Sequence, residues 1–132
     1  MYKRQPRACL SGGVEFLGAT VASQADGSVR VRLRWRATAP LSGEYTVFLH
    51  YLRDGQTIGQ GDGPPAGGRY PTSVWRAGDV INDDHVVPGV GLPQAGRDEL
   101  SFGLWNPQTG EYLSVLDTAG NPAGVEIRVP VP

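Results

Sequence analysis

Val29-Arg30-Val31-Arg32-Leu33-Arg34-Trp35-Arg36 alternates apolar and arginine residues without a break. Side chains of a β-strand point to opposite faces with period two. This octet therefore puts Val29, Val31, Leu33 and Trp35 on a buried face and four arginines on a wet one. A helix would scatter the same residues around its circumference, so the strand reading stands. Upstream, Val14 to Ser23 reads as a second strand. It is joined through Gln24-Ala25-Asp26-Gly27-Ser28, whose Asp-Gly pair is a hairpin-turn signal. Downstream, Pro40 to Gly43 breaks the chain. Tyr45-Thr46-Val47-Phe48-Leu49-His50-Tyr51-Leu52 then forms a nearly continuous apolar run, as expected of a central strand. Arg53-Asp54-Gly55-Gln56 is a tight turn, so Thr57 to Gln60 should pair back as a hairpin.

The same reading extends to the C-terminus. Val80 to Val87, Leu100 to Trp105, Tyr112 to Leu116 and Val125 to Val129 read as strands. Tyr112 to Leu116 is the expected hairpin partner of Leu100 to Trp105 across the turn Asn106-Pro107-Gln108-Thr109-Gly110. Residues 61–79 hold three prolines and five glycines and read as one long irregular segment. A loop of that length in a small domain is either functional or pinned by its own side chains, and Tyr70 and Trp75 are the obvious pins. Residues 1–13 read as a flexible lead-in, and 14–132 as a single domain. About eight strands with regular turn signals predict an all-β, two-sheet antiparallel sandwich, immunoglobulin-like or carbohydrate-binding-module-like.

Bulk composition agrees. The 132 residues fit one core. Glycine (19) and proline (11) argue against a helical bundle, while 14 valines and 11 aromatics supply apolar surface to bury. A net charge of −1 gives no overall field for nucleic acid or an anionic membrane. No apolar run approaches the ~20 residues of a membrane span, and the basic start, Met1 to Arg7, leads into no apolar stretch, so it does not read as a signal peptide. Cys9 is the only cysteine, which excludes an intrachain disulfide and a cysteine-based zinc cluster.

Tyr45-Thr46-Val47-Phe48-Leu49-His50, Gly55, Asp62-Gly63-Pro64-Pro65 and Gly67-Gly68-Arg69-Tyr70-Pro71-Thr72 carry a resemblance. It continues through Trp75, Gly78-Asp79, Asp83, His85, Gly103-Leu104-Trp105 and Thr109-Gly110. This pattern resembles the C-terminal extracytoplasmic β-sandwich domain of bacterial membrane glycosyltransferases of the dolichyl-phosphate-mannose mannosyltransferase type, also found in uncharacterised proteins. Trp105 stands where that family more often carries tyrosine. The resemblance implies a β-sandwich in the cell envelope, extracytoplasmic, and transfers no catalytic residue.

Several constellations are candidates for chemistry. The row Arg30, Arg32, Arg34 and Arg36, spaced ~7 Å along one face, suits phosphate or carboxylate ligands. The favoured reading is a solvated outer face paired with cross-strand carboxylates. Candidate ligand-binding residues are Tyr70, Trp75 and Trp105, as rings on which a sugar face can pack, with Arg69, Asp62 and His85 beside them in sequence. For Trp75 and Tyr70 the favoured role is anchoring the loop. Asp79, Asp83 and Asp84 supply hard oxygens for a structural calcium, but their spacing fits no helix–loop–helix calcium loop. Asp62 and Asp83 are expected instead to accept backbone amides of the loop. No other cofactor is expected. His50 and His85 show no metal or Ser–His–Asp spacing.

These observations make a non-catalytic accessory module binding glycan or polysaccharide the leading expectation. An interaction domain docking on a membrane glycosyltransferase, or self-associating as a weak homodimer, is the alternative. A small hydrolase comes third.

Overall fold

The computed structural model describes residues 7–132. Among them nine strands form two antiparallel sheets. In chain order the strands are β1 (Ala8–Leu10), β2 (Val14–Ser23), β3 (Val29–Ala37), β4 (Thr46–Arg53), β5 (Gln56–Gln60), β6 (Val80–Val87), β7 (Asp98–Trp105), β8 (Val115–Leu116) and β9 (Ile127–Pro130). One sheet runs β6-β3-β2-β1-β8 and the other β5-β4-β7-β9. The expected sandwich is present.

The alternating octet explains the first sheet. Val29, Val31, Leu33 and Trp35 are wholly buried, while Arg30 and Arg34 are exposed. Register then places Arg32 opposite Asp84 of β6 and Arg36 opposite Glu15 of β2. Both pairs close as ion pairs, at 2.7 and 2.6 Å. The cross-strand carboxylates expected for the arginine row are thus in place for two of its four members. A one-residue slip would turn every arginine into the core, so the row fixes register more than it adds stability. Phe16 and Trp35 of this sheet meet Phe102 of the other edge to face, with ring centroids 4.8 and 5.9 Å apart. Such aromatic pairs add about 0.5–1.5 kcal/mol each beyond the area they bury.

Two expectations are corrected. Residues 8–10, read as part of a flexible lead-in, form β1, paired with β2 on one side and β8 on the other. Gly12 and Gly13, with φ of +82° and +91°, make the β1–β2 turn, a backbone region open to glycine at little cost. Residues 1–6 of that expected lead-in lie outside the described residues. The segment Tyr112 to Leu116 is a hairpin partner of β7 only at its start. Tyr112 bridges Trp105, and Leu113 N–H donates to Leu104 C=O. The side chain of Leu113 then enters the core, and the chain crosses to the other sheet as β8 beside β1.

Candidate functional site

The long loop between β5 and β6 is pinned, not open. It contains only two single-turn 3-10 segments, Pro65–Gly68 and Thr72–Val74. Trp75 is 1% exposed and belongs to the core. Its indole N–H donates to the Tyr70 carbonyl at 2.9 Å. The Tyr70 hydroxyl donates to Asp79, whose other bond is to the Arg76 amide. That hydrogen bond holds the Tyr70 pKa above and the Asp79 pKa below their ordinary values. Thr72 is fully buried and bridges Tyr45 N–H and the Gly43 carbonyl, each at 2.8 Å. Trp75 therefore offers no face to a ligand, which corrects its candidacy. The buried indole anchors the loop to the core.

β6 carries an unusual inner face. Ile81, Asp83, His85 and Val87 point into the sandwich. Asp83 is wholly buried and its carboxylate accepts three bonds: Ala66 N–H at 2.8 Å, Trp35 Nε1–H at 3.1 Å and His85 Nε2 at 2.9 Å. His85 Nδ1 lies 2.8 Å from the Gly61 carbonyl, which can only accept, so this nitrogen carries a proton. Burial disfavours the imidazolium, but the Asp83 hydrogen bond and charge outweigh it and hold the His85 pKa above its ordinary value. Both ring nitrogens of His85 are occupied inside the protein, so its candidacy as a ligand contact is also corrected. Among the described residues, every buried side-chain nitrogen and oxygen has a partner. The cluster ties the loop, β3 and β6 together, and Asp83 accepts a loop amide as expected.

Asp79, Asp83 and Asp84 do not converge. Asp83 and Asp84 project from opposite faces of β6, Asp84 pairing with Arg32, while Asp79 is engaged with Tyr70. Among the described residues no three His, Cys, Asp or Glu side chains gather as a metal-ligating group. Arg69 is exposed and borders a separate hollow of about 360 Å³ with Asn82 and Asp84.

The remaining two candidates, Asp62 and Trp105, do meet. They line an open groove of about 380 Å³ on the outer face of the second sheet. Three rings build its apolar wall. Phe48 of β4 lies opposite Gly103 of β7, and the absence of a side chain there makes room for the ring. Trp105 ends β7. The turn that follows is closed by Asn106, whose side-chain oxygen accepts the amides of Gln108 and Thr109, and by Gly110 at φ +76°. This turn returns Tyr112 onto Trp105, with rings stacked at 5.9 Å and 24°. Tyr112 also meets Phe48 edge to face at 5.7 Å and is 46% exposed.

The polar groups of the groove are Asp62, Glu126 and His50. Each carboxylate is oriented by a bond on one oxygen. Asp62 Oδ1 accepts the Leu49 amide of β4 at 2.8 Å, a strand amide in place of the expected loop amide. Glu126 Oε2 accepts the hydroxyl of Ser101 at 2.5 Å. Ser101 is opposite His50 in the β4–β7 ladder, but it is buried and its hydroxyl donates its hydrogen bond to Glu126. Sequence reasoning missed Phe48 and Glu126; it counted Tyr112 among the aromatics able to form a sugar-stacking platform and weighed His50 as a titratable strand histidine, but gathered neither into a site. The apolar parity of β4 had absorbed Phe48, and the rest become neighbours only through strand pairing and the crossing of residues 125–126 over Gly103. No protein-family model, curated protein or solved structure matches this chain. Among the described residues no helix is long and apolar enough to cross a membrane.

Proposed function

We propose that this domain is a non-catalytic glycan-binding module of the bacterial cell envelope. One observation carries the reading: a partly exposed aromatic wall, Trp105 stacked on Tyr112 beside Phe48, lines one open groove with oriented carboxylates. Sugar rings pack their C–H faces on aromatic faces, and their hydroxyls need fixed acceptors. Here the acceptors are held by the fold before any ligand arrives, which lowers the ordering cost of binding. The envelope setting rests on the sequence resemblance alone. Calorimetry against a panel of cell-wall polysaccharides and oligosaccharides tests the proposal. Binding that weakens tenfold or more, about 1.4 kcal/mol, in Trp105→Ala and in Tyr112→Ala supports it. Absence of binding across the panel, or variants that bind like the parent, would sink it.

A further inference from the structure

We infer that the groove on the outer face of the second sheet selects a sugar bearing a free ammonium group. This rests on the glycan-binding reading and names the class of sugar. The groove's lining holds two carboxylates, Asp62 and Glu126, one histidine, His50, and no lysine or arginine. Arg128 reaches the Glu126 Oε1 at 3.5 Å from an exposed position outside the lining, and the buried His85 imidazolium acts on Asp62 at longer range. Asp62 and Glu126 each keep one oxygen free of any bond to a backbone amide or hydroxyl, because the other oxygen takes the Leu49 amide or the Ser101 hydroxyl. Ionised carboxylates only accept, so an ammonium, which only donates, satisfies them better than a hydroxyl and adds charge attraction. The aromatic wall acts in the same direction. The faces of Trp105, Tyr112 and Phe48 carry negative quadrupoles that attract a cation within about 6 Å. A uronic acid would meet the carboxylates with like charge, and a neutral N-acetylated sugar would add no charge attraction to them.

The experiment compares three oligosaccharides of equal length by calorimetry at about pH 6, where amines are protonated. They are a glucosamine tetramer, an N-acetylglucosamine tetramer and a galacturonic acid tetramer. The expected result is roughly tenfold or tighter binding of the glucosamine tetramer over the N-acetylated one. That preference should shrink as salt is raised, with no binding of the uronate. In the double variant Asp62→Asn, Glu126→Gln the preference falls to within about twofold. Both replacements retain an oxygen for the Leu49 amide and the Ser101 hydroxyl, and an unchanged circular dichroism spectrum confirms the fold. Equal affinity for the first two tetramers overturns the ammonium preference and leaves the glycan reading standing. Tighter binding of the uronate overturns it as well. Failure of all three tetramers and of the wider polysaccharide panel removes the glycan reading itself, and this inference with it.

Discussion

Asp83 sits where a sandwich strand would ordinarily place an aliphatic side chain, and its surroundings account for it. A buried carboxylate is tolerated when its acceptor capacity is filled, and here Ala66, Trp35 and His85 fill it. The arrangement makes stability depend on the charge of His85. Its pKa is raised in the folded state, so the native chain binds the proton more tightly than the unfolded one. That contribution is whole below the unfolded value, about 6.5, and is lost as pH rises through the higher folded value. The charged groups around the imidazole are Asp83 and, at longer range, Asp62 and Asp84. Asp98 acts at the other end of the scale. It is buried against Arg53, which binds it bidentately, against the Tyr51 hydroxyl at 2.5 Å and against the Gln94 amide. The Arg53 guanidinium holds its carboxyl far below the usual carboxylate range, so this stability is present above about pH 4 and is lost as pH falls. The urea midpoint is therefore expected to be highest between about pH 4 and 6.5 and to decline toward pH 8.5. In His85→Gln the decline above pH 6.5 should vanish while the acid decline stays. A parent midpoint that is flat from pH 6 to 8.5, or an alkaline slope that survives in the variant, would show that His85 is not the group responsible.

Elements differ in how far the sequence reveals them. The parity of β3 was legible because arginine and aliphatic side chains alternate strictly, and β2 and β6 begin and end where expected. The inner face of β6 was not legible. Both of its faces have valine or isoleucine toward the ends and polar residues in the middle, so alternation alone gives no direction. Val80 and Val86 turn out to be 46% and 53% exposed, while Asp83 and His85 are inside. Only tertiary partners, an indole and a loop amide, make that choice favourable. The groove was legible in part for the same reason: its members Asp62 and Trp105 were marked from sequence, but their neighbours come from strand pairing. Gly103 holds that pairing together. A methyl group there would lie 2.5 Å from the Val125 carbonyl and 2.6 Å from the Phe48 ring, closer than real contacts allow. Gly103→Ala must displace the ring or the 125–126 crossing. The expected cost is about 1–3 kcal/mol, with a shift in the tryptophan emission as Trp105 loses its packed surroundings. Gly63→Ala, where nothing lies within 4 Å and φ is not positive, is the control and should stay within about 0.5 kcal/mol. Thermal melts of the two proteins decide between them, and equal midpoints would mean that Gly103 holds no such space open.

At the scale of the whole molecule, the two sheets are laced together by a crossing that period-two patterns do not disclose. The chain leaves the second sheet at Leu113 and joins the first as β8, whose ladder partner is β1. Both strands are short, three and two residues, too short for alternation to announce them. Each is held by the other: Ser11 N–H donates to Ser114 C=O at 2.8 Å, and Ser11 Oγ accepts the Ser114 amide at 2.9 Å. Leu10 adds a core side chain that is 3% exposed and packs within the main cluster. Removing residues before Val14 would thus do more than trim a terminus. It would uncover the edge of β2, leave β8 without a ladder and empty the site of Leu10. Loss of that leucine alone is worth about 2–3 kcal/mol, and the orphaned Ser114 amide adds to it. The truncated chain is expected to unfold in urea with a stability lower by about 3 kcal/mol or more, followed by the emission of buried Trp35 and Trp75. If its midpoint matches that of the full chain, β1 contributes no more than the flexible lead-in that composition suggests.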